Sequence, residues 1–240
     1  MVLVTGVAGG IGSATARLFL DAGYAVAGVD LDERALTPPG HGDYVGAVAD
    51  VCDAEAMGDV VARLGRPIAH LVTCAGISLP AETVDAGRAL PDVEVFRGTI
   101  ELNLTSHYVT FAAAWPSLRN GIGDRSVSFA SSINALQSFG LIGYSSAKAG
   151  LIGLVRALVV PLGAAGVRVN AVAPGTVPTP ATRREWAHVP THFDDMAALV
   201  PTGRLGTPDD VAAAFLALAR DLTHVSGQVL TVDGGQSLHR

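Results

Sequence analysis

Tyr144 and Lys148 stand four residues apart in the run YSSAK. On a helix that spacing puts both side chains on one face, where a phenol and an ammonium can approach a common point. The pair reads in two ways: a surface tyrosine beside a solvated lysine, or a phenol whose proton is loosened by a cation. For the second, a tyrosine that titrates near pH 10 must drop by about three units to act as a base at neutral pH, roughly 4 kcal/mol in favour of the phenolate. A neighbouring positive charge acts in that direction. Nearer the N-terminus, VLVTGVAGGIGSATARLFLDAG sets Gly6, Gly10 and Gly12 between a strand and a helix. Glycines there permit a tight turn and close approach of the backbone to a pyrophosphate, which the amides of the helix N-terminus then meet. The alternative is a turn that only packs helix on strand. Asp30 closes the next strand, where a carboxylate accepts hydrogen bonds from both hydroxyls of an adenosine ribose and repels a 2′-phosphate. No Arg or Lys stands in the glycine loop or directly after Asp30, which favours NAD over NADP. A solvated strand end or a helix cap is the other reading of Asp30.

These residues need elements to hold them. Valine-rich runs (VLVT, AVAGVD, YVGAVAD, AHLVT, SVSFAS, VRVNAVAP and QVLTVDGG) alternate with alanine- and leucine-rich stretches long enough for helices. Strand alternating with helix predicts a parallel sheet covered on both faces. The first helix should begin near Gly12 and stop at Gly23, another should run from Asp53 to Gly65, and Thr207, Pro208 and Asp210 read as an N-cap, a first-turn proline and a capping box. The stretches 78–99 and 176–206 read as long irregular loops. From Ser145 to Leu162 a helix carries Leu151, Ile152, Leu154, Val155, Leu158, Val159 and Leu162, apolar nearly all round with Arg156 as the main exception. Such a helix must be covered on all sides. A second subunit is the simplest cover beyond the sheet, predicting a homo-oligomer; cover by its own chain is the alternative.

The 240 residues, 49% hydrophobic and 16% charged, suit one α/β domain spanning 1–240. A net charge of -6 offers no electrostatic footprint for nucleic acid. Two cysteines, Cys52 and Cys74, and no charged leader before MVLVTG suggest a cytoplasmic protein with free thiols. The apolar stretch around Leu151 to Leu162, interrupted by Arg156 and Pro161, reads as too short to cross a membrane.

Taken in order, TGVAGGIG, AD followed by Val51, CAG at 74–76, NLTS at 103, SFASS before YSSAK, NAVAPGTVPT at 170, GRLGTPDDVA at 203 and VDGG at 232 resemble the short-chain dehydrogenase/reductase family over roughly residues 2 to 235. The resemblance implies a Rossmann-like, doubly wound parallel sheet of seven strands in the order 3-2-1-4-5-6-7, with helices on both faces. It implies a catalytic set of Asn103, Ser131, Tyr144 and Lys148. Ser131 is chosen because it lies thirteen residues before the tyrosine, with Ser132 pointing elsewhere. Cofactor contacts carried over by position are Gly6, Gly10, Ile11, Gly12, Asp30, Leu31, Asp50, Val51, Cys74, Ala75, Gly76, Tyr144, Lys148, Pro174, Gly175, Val177 and Thr179. Thr179 would bond the nicotinamide carboxamide or is a plain turn residue. The family usually carries Asn-Asn-Ala-Gly at the end of the fourth strand; Thr73 and Cys74 replace both asparagines, which puts hydrogen bonds of the central sheet in doubt. Cys74 is then a reactive thiol or a small buried hydrophobe.

In the mechanism this implies, Tyr144 takes the proton of a secondary alcohol as hydride leaves for the nicotinamide, and returns it in ketone reduction. Ser131 orients the same oxygen, Lys148 holds the ribose and lowers the phenol's pKa, and Asn103 holds a water leading to solvent. A 3-oxoacyl carrier-protein reductase taking NADPH is the competing enzyme, for which Arg119 and Arg125 are the basic residues before Ser131. A dinucleotide-binding sensor is the non-enzymatic alternative. In the lid at 176–206, Trp186 and His188, together with Asn134, Leu136, Gln137 and Phe139 after Ser131, predict a mixed polar and apolar cleft; His192 stands four residues after His188. Pro190 between the two histidines argues against a regular helix and no nearby Cys or Glu completes a metal set, so no metal site is expected. The substrate class stays open among cyclic or polyol alcohols, sugars, steroids and β-hydroxyacyl groups.

Overall fold

Seven parallel strands form one sheet in the order β3-β2-β1-β4-β5-β6-β7 in the computed structural model, which describes residues 1–77, 90–137 and 140–238. They are β1 (Val2–Thr5), β2 (Val26–Asp30), β3 (Tyr44–Val48), β4 (His70–Thr73), β5 (Arg125–Ala130), β6 (Val167–Pro174) and β7 (Val229–Val232). Each valine-rich run of the sequence supplies one strand. β1 sits between β2 and β4, with Val2 in register with Val26 on one side and His70 on the other. Chain order therefore reverses beside β1, and the crevice at the carboxyl ends of β1 and β4 is the place where a doubly wound sheet accepts ligands.

Alternation along the strands divides the core. Leu3 of β1 joins a cluster with Met57 of α2 (Ala54–Arg63), Phe111 and Leu118 of α4 (Ser106–Asn120) and Leu151 and Val155 of α5 (Ile142–Ala164). Val2 and Val4 turn the other way, onto Phe19 of α1 (Gly10–Asp21) and Phe215 of α8 (Pro208–Arg220). Helices thus cover both faces, as a parallel sheet requires. Burying a side chain the size of Phe19 or Phe215 contributes about 1.5–3 kcal/mol each.

The punctuation follows the side chains. Asp53 caps α2 by accepting from the Glu55 and Ala56 amides, and Thr207 caps α8 in a reciprocal capping box with Asp210. α5 is longer than its sequence suggests: it starts at Ile142 and continues through Pro161, whose side is exposed, to Ala164. By length and composition it is the one helix among the described residues that could cross a membrane. Here it lies along the sheet with Leu151, Val155 and Leu162 in the core and Lys148 buried on it.

Two stretches expected to be irregular are partly helical. Val93–Ile100 forms α3, and 176–206 contains α6 (Pro180–Glu185) and α7 (His192–Ala198). In α6 and α7, Ala181, Phe193 and Met196 line the cavity rather than a continuous core stripe, which hid the helical periodicity there. Between α3 and α4 the chain makes a π-helical turn, Glu101–Thr105. Positions 78–89 of the first stretch, and Phe139, lie outside the described residues.

Candidate active site

The glycine loop is shaped by contact. Gly6 has φ +75°, and a Cβ there would lie 2.7 Å from the Ala75 nitrogen; a Cβ on Gly12 would lie 2.1 Å from the Gly6 oxygen. Any side chain at either position would drive β1, β4 and α1 apart. α1 then opens with Gly9 as N-cap, no side-chain cap and no acidic residue in its first turn. Its first amides are left to a ligand, an arrangement suited to a pyrophosphate.

Asp30 turns back over this loop. One carboxylate oxygen accepts from the Ala8 amide at 3.0 Å and the other from the Asp32 amide at 3.1 Å. The nearest cation downstream, Arg34, is held by Asp32 at 2.8 Å. Leu31 is exposed, Val51 is buried, and Asp50 accepts from the Cys52 amide at 2.8 Å.

A cavity of about 500 Å³ runs from the glycine loop to α6 and α7. Gly6, Gly10, Ile11, Gly12, Cys74, Gly76, Ser131, Tyr144, Lys148, Pro174, Gly175, Val177 and Thr179 all line it. Residues from five separate sequence segments are thereby brought to one surface. Asp30, Leu31, Asp50, Val51, Ala75 and Asn103 are not among its walls. Asn103 is fully buried on the π-turn, its Nδ2 donating to the Ile77 and Thr99 carbonyls at 2.9 and 3.1 Å.

Lys148 donates from Nζ to the Ala130 carbonyl at 2.9 Å and lies 5.5 Å from the centroid of the Tyr144 ring. Burial lowers its pKa to about 8, opposed by the Cys74 thiol. Gly76, at φ +142°, lies against this pair: a Cβ there would come within 2.7 Å of Asn103 Oδ1 and 3.3 Å of Lys148 Nζ. Cys74 is held as a neutral thiol, its pKa pushed up to about 12 by burial. That favours the small-hydrophobe reading over a reactive one. Thr73 ties β4 to α4 through a 2.6 Å hydrogen bond with His107 Nδ1, so a sheet-to-helix bond does exist where the usual asparagine is missing.

The two serines differ in their partners. Ser131 donates to the Lys148 backbone carbonyl at 2.9 Å and is buried. Ser132, set aside on spacing, also lines the cavity; it accepts from the Asn134 amide at 3.2 Å and donates across 3.3 Å to Asn134 Oδ1.

On the far side, Thr179 caps α6 by accepting from the Thr182 amide at 3.2 Å, while Thr182 Oγ1 accepts from the Thr179 amide at 2.8 Å. Gln236, which no motif reading singled out, holds the preceding loop through Thr176, its Oε1 accepting from the amide at 2.9 Å and its Nε2 donating to Oγ1 at 3.0 Å. Trp186 and His192 stack 4.0 Å apart and, with Glu185, Phe193 and Met196, line the cavity. His192, Phe193 and Met196 were not singled out as wall residues; aromatic and sulfur-bearing side chains in an otherwise polar loop are the signal that marks them. Leu136, Gln137 and His188 are absent from the walls; His188 instead bonds through Nδ1 to the Glu185 carbonyl at 3.1 Å. Among the described residues no group of three or more His, Cys, Asp or Glu side chains could hold a metal ion.

Comparison with known proteins gives this arrangement relatives. The profile of the family described as Enoyl-(Acyl carrier protein) reductase matches residues 6–237. The cis-4-hydroxycyclohexanecarboxylate dehydrogenase of Sinomonas cyclohexanicum is 36% identical over 98% of this chain and 95% of its own length. The (3R)-3-hydroxyacyl-CoA dehydrogenase of Homo sapiens is 33% identical over 98% of this chain and 94% of its own. A crystal structure of an oxidoreductase of the short-chain dehydrogenase/reductase family from Burkholderia thailandensis superposes with a TM-score of 0.90 at 34% identity, covering 100% of this chain and 93% of that one. A matching profile over almost the whole length, full-length relatives and a shared sheet order agree: the chain belongs to the short-chain dehydrogenase/reductase family, oxidoreductases that use nicotinamide dinucleotides.

Proposed function

We propose that this protein is an NAD-preferring oxidoreductase that interconverts a secondary alcohol and a ketone, with Tyr144 as base in oxidation and acid in reduction. The observation that carries the reading is the buried Lys148 ammonium, 5.5 Å from the centre of the Tyr144 ring at the wall of the cavity. A cation in a water-poor wall favours the phenolate far more than one in solvent.

The bound dinucleotide supplies the hydride acceptor or donor. Gly6, Gly10, Ile11 and Gly12 would hold its pyrophosphate, and Asp30, Leu31, Asp50 and Val51 its adenosine end. Cys74, Ala75, Gly76, Pro174, Gly175, Val177 and Thr179 would flank the nicotinamide half. NAD preference rests on Asp30, whose charge would face a 2′-phosphate while Arg34 is neutralised by Asp32.

Tyr144 takes or returns the proton of the substrate oxygen. The hydrogen bonds favour Ser132 over Ser131 as the group that orients that oxygen. Ser131 has its proton committed to a backbone carbonyl, whereas Ser132 donates across a long 3.3 Å contact that a substrate oxygen can replace. Asn103, behind Gly76, would hold water next to Lys148.

The carrier-protein reductase reading is weakened by Arg119 and Arg125. Arg125 starts β5, at the end of the strand opposite Ser131, and its guanidinium donates to the Leu118 and Arg119 carbonyls at 2.8 and 3.1 Å. Neither faces the cavity. We read the whole chain as one catalytic unit with 176–206 as its lid. The outward side of α5, where Val160 is 78% exposed, supports a dimer or tetramer, and the free thiols Cys52 and Cys74 suit a cytoplasmic protein.

The deciding assay follows absorbance at 340 nm with purified protein, NAD or NADP, and cyclic and acyclic secondary alcohols with their ketones. Turnover with NAD well above that with NADP supports the reading. No absorbance change with any pair overturns it.

A further inference from the structure

The turn that follows β7 is built to hold its shape. Asp233 accepts from the Gly235 amide at 2.9 Å through one carboxylate oxygen and from the Ser237 amide at 2.8 Å through the other. Gly234 and Gly235 have φ +62° and +90°, which side-chain-bearing residues rarely adopt. Between Asp233 and Leu238 only Gln236 is buried, at 4% exposure. A buried primary amide needs partners for both its oxygen and its nitrogen. Here both belong to Thr176, whose amide donates to Oε1 at 2.9 Å and whose hydroxyl accepts from Nε2 at 3.0 Å. Only the oxygen can accept from a backbone amide, so the orientation of the side chain is fixed.

Two bonds to one residue fix the plane of its peptide and the rotamer of its side chain together. The approach is close: a Cβ on Gly175 would lie 2.7 Å from Gln236 Oε1, and the Gly175 amide donates to the Val232 carbonyl at 3.0 Å. Beyond Thr176, the Val177 carbonyl accepts from Thr182 Oγ1 at 3.1 Å, the residue paired with Thr179 in the cap of α6. The loop from Gly175 to Thr179 is therefore held at both ends. Thr176, Val177 and Thr179 line the cavity, whereas Gln236 does not. The same turn also grips the far end of the segment that carries α6 and α7. The Thr202 amide donates to the Gly234 carbonyl at 3.3 Å, and a Cβ on Gly235 would lie 3.1 Å from Pro201 Cγ.

We propose that Gln236 is a positioning residue for the nicotinamide half of the dinucleotide site, acting through Thr176. The proposal rests on the reading above that sets Gly175, Val177 and Thr179 beside the nicotinamide, and it is independent of which alcohol is the substrate. The adenosine end depends instead on Asp30, whose carboxylate is fixed by the Ala8 and Asp32 amides and owes nothing to this turn. Loss of the clamp should therefore be felt at one end of the cofactor and not at the other.

Calorimetric titration of the full chain with NADH and with ADP-ribose, which keeps the adenosine and pyrophosphate but lacks the nicotinamide, separates the two ends. Gln236→Leu should bind NADH about tenfold more weakly than the parent and ADP-ribose as the parent does. A variant that loses affinity equally for both ligands has only a loosened fold, and the positioning role is overturned. Unchanged affinity for NADH overturns it too. Should Gln236→Leu fail to fold, Gln236→Asn keeps the amide on a side chain one methylene shorter, unable to reach both atoms of Thr176, and the same ratio of the two affinities decides. A parent that binds NADH no better than ADP-ribose would remove the nicotinamide from this loop and sink the proposal with it. Selective loss of NADH in a protein that turns over no alcohol would reject the proposed reaction and leave the clamp standing.

Discussion

The Ser131 hydroxyl donates to the backbone carbonyl of Lys148 at 2.9 Å, while the Lys148 ammonium donates to the carbonyl of Ala130 at 2.9 Å. The end of β5 and the helix that bears Tyr144 are thus laced together in both directions. A serine used in this way is a fastener, which supports the proposal that its neighbour meets the substrate. Ser132→Ala is expected to lower kcat by about a hundredfold with little change in melting temperature, the scale of losing one oriented donor at a reacting oxygen. Ser131→Ala is expected instead to cost about 0.5–1.5 kcal/mol of stability, seen as a melting temperature a few degrees lower, because a buried hydrogen bond between the end of β5 and α5 is lost. The reverse pattern in kinetics and calorimetry would return the orienting role to Ser131.

Tyr144→Phe removes only the hydroxyl and leaves the ring over Lys148. It should bind NAD as the parent does, by calorimetric titration, while turnover falls by at least about a thousandfold. Substantial residual activity would take Tyr144 out of the proton transfer.

Asp30→Ala removes the carboxylate from the end of β2. Losing hydrogen bonds to a charged acceptor is worth about 1.5–3 kcal/mol, so kcat/KM with NAD should fall roughly ten- to a hundredfold. The ratio of NADP to NAD turnover should rise, since the repulsion of a 2′-phosphate goes with the charge. That ratio is the decisive readout, because the same carboxylate also accepts from the Ala8 and Asp32 amides and its loss disturbs the loop for both cofactors.

Lys148 makes stability depend on pH in a definite direction. Burial lowers its pKa from 10.5 to about 8 in the folded chain. Below pH 8 both states carry the proton, and the fold bears the full cost of the buried charge. Between pH 8 and 10.5 the folded state releases the proton while the unfolded state keeps it, so this cost is relieved, by up to about 3 kcal/mol. The cofactor-free parent should therefore gain stability relative to Lys148→Met as pH rises through that window, measured by urea unfolding. A difference between the two that stays flat with pH would contradict the assigned burial.

His70 acts at the other end of the scale. Burial lowers its pKa from 6.5 to about 4, and its Nδ1 is paired with Ser126 at 2.9 Å. The unfolded chain takes up a proton first, so the stability present above pH 6.5 is lost as pH falls toward 4, by about 3 kcal/mol. His70→Asn should flatten the acid side of the stability profile, and an unchanged slope would show that other groups carry it.

Much of this molecule is legible in one dimension because its signals are local. Short valine-rich runs announce all seven strands, since the central ones, buried on both faces, have to be nearly continuously apolar. Gly6 and Gly12 announce the phosphate-type loop because only the absence of a Cβ lets β1, β4 and α1 meet as closely as they do. Asp53 and Thr207 announce helix starts because a cap is a contact between residues three apart. Tyr144 and Lys148 announce one face of a helix for the same reason.

What the tertiary structure alone decided are the contacts between residues far apart in the chain. Ser131 and Ser132 are adjacent and identical in type, and only the approach of α5 to β5 determines which hydroxyl is tied down. Thr73 and His107, thirty-four residues apart, meet because α4 crosses β4, and no spacing rule connects them. Gln236 steadies the loop at Thr176 from sixty residues away, and α6 and α7 bring Glu185, His192, Phe193 and Met196 to the cavity wall. Hydrogen-bond partners are chosen by proximity in space, whereas a sequence records only proximity along the backbone.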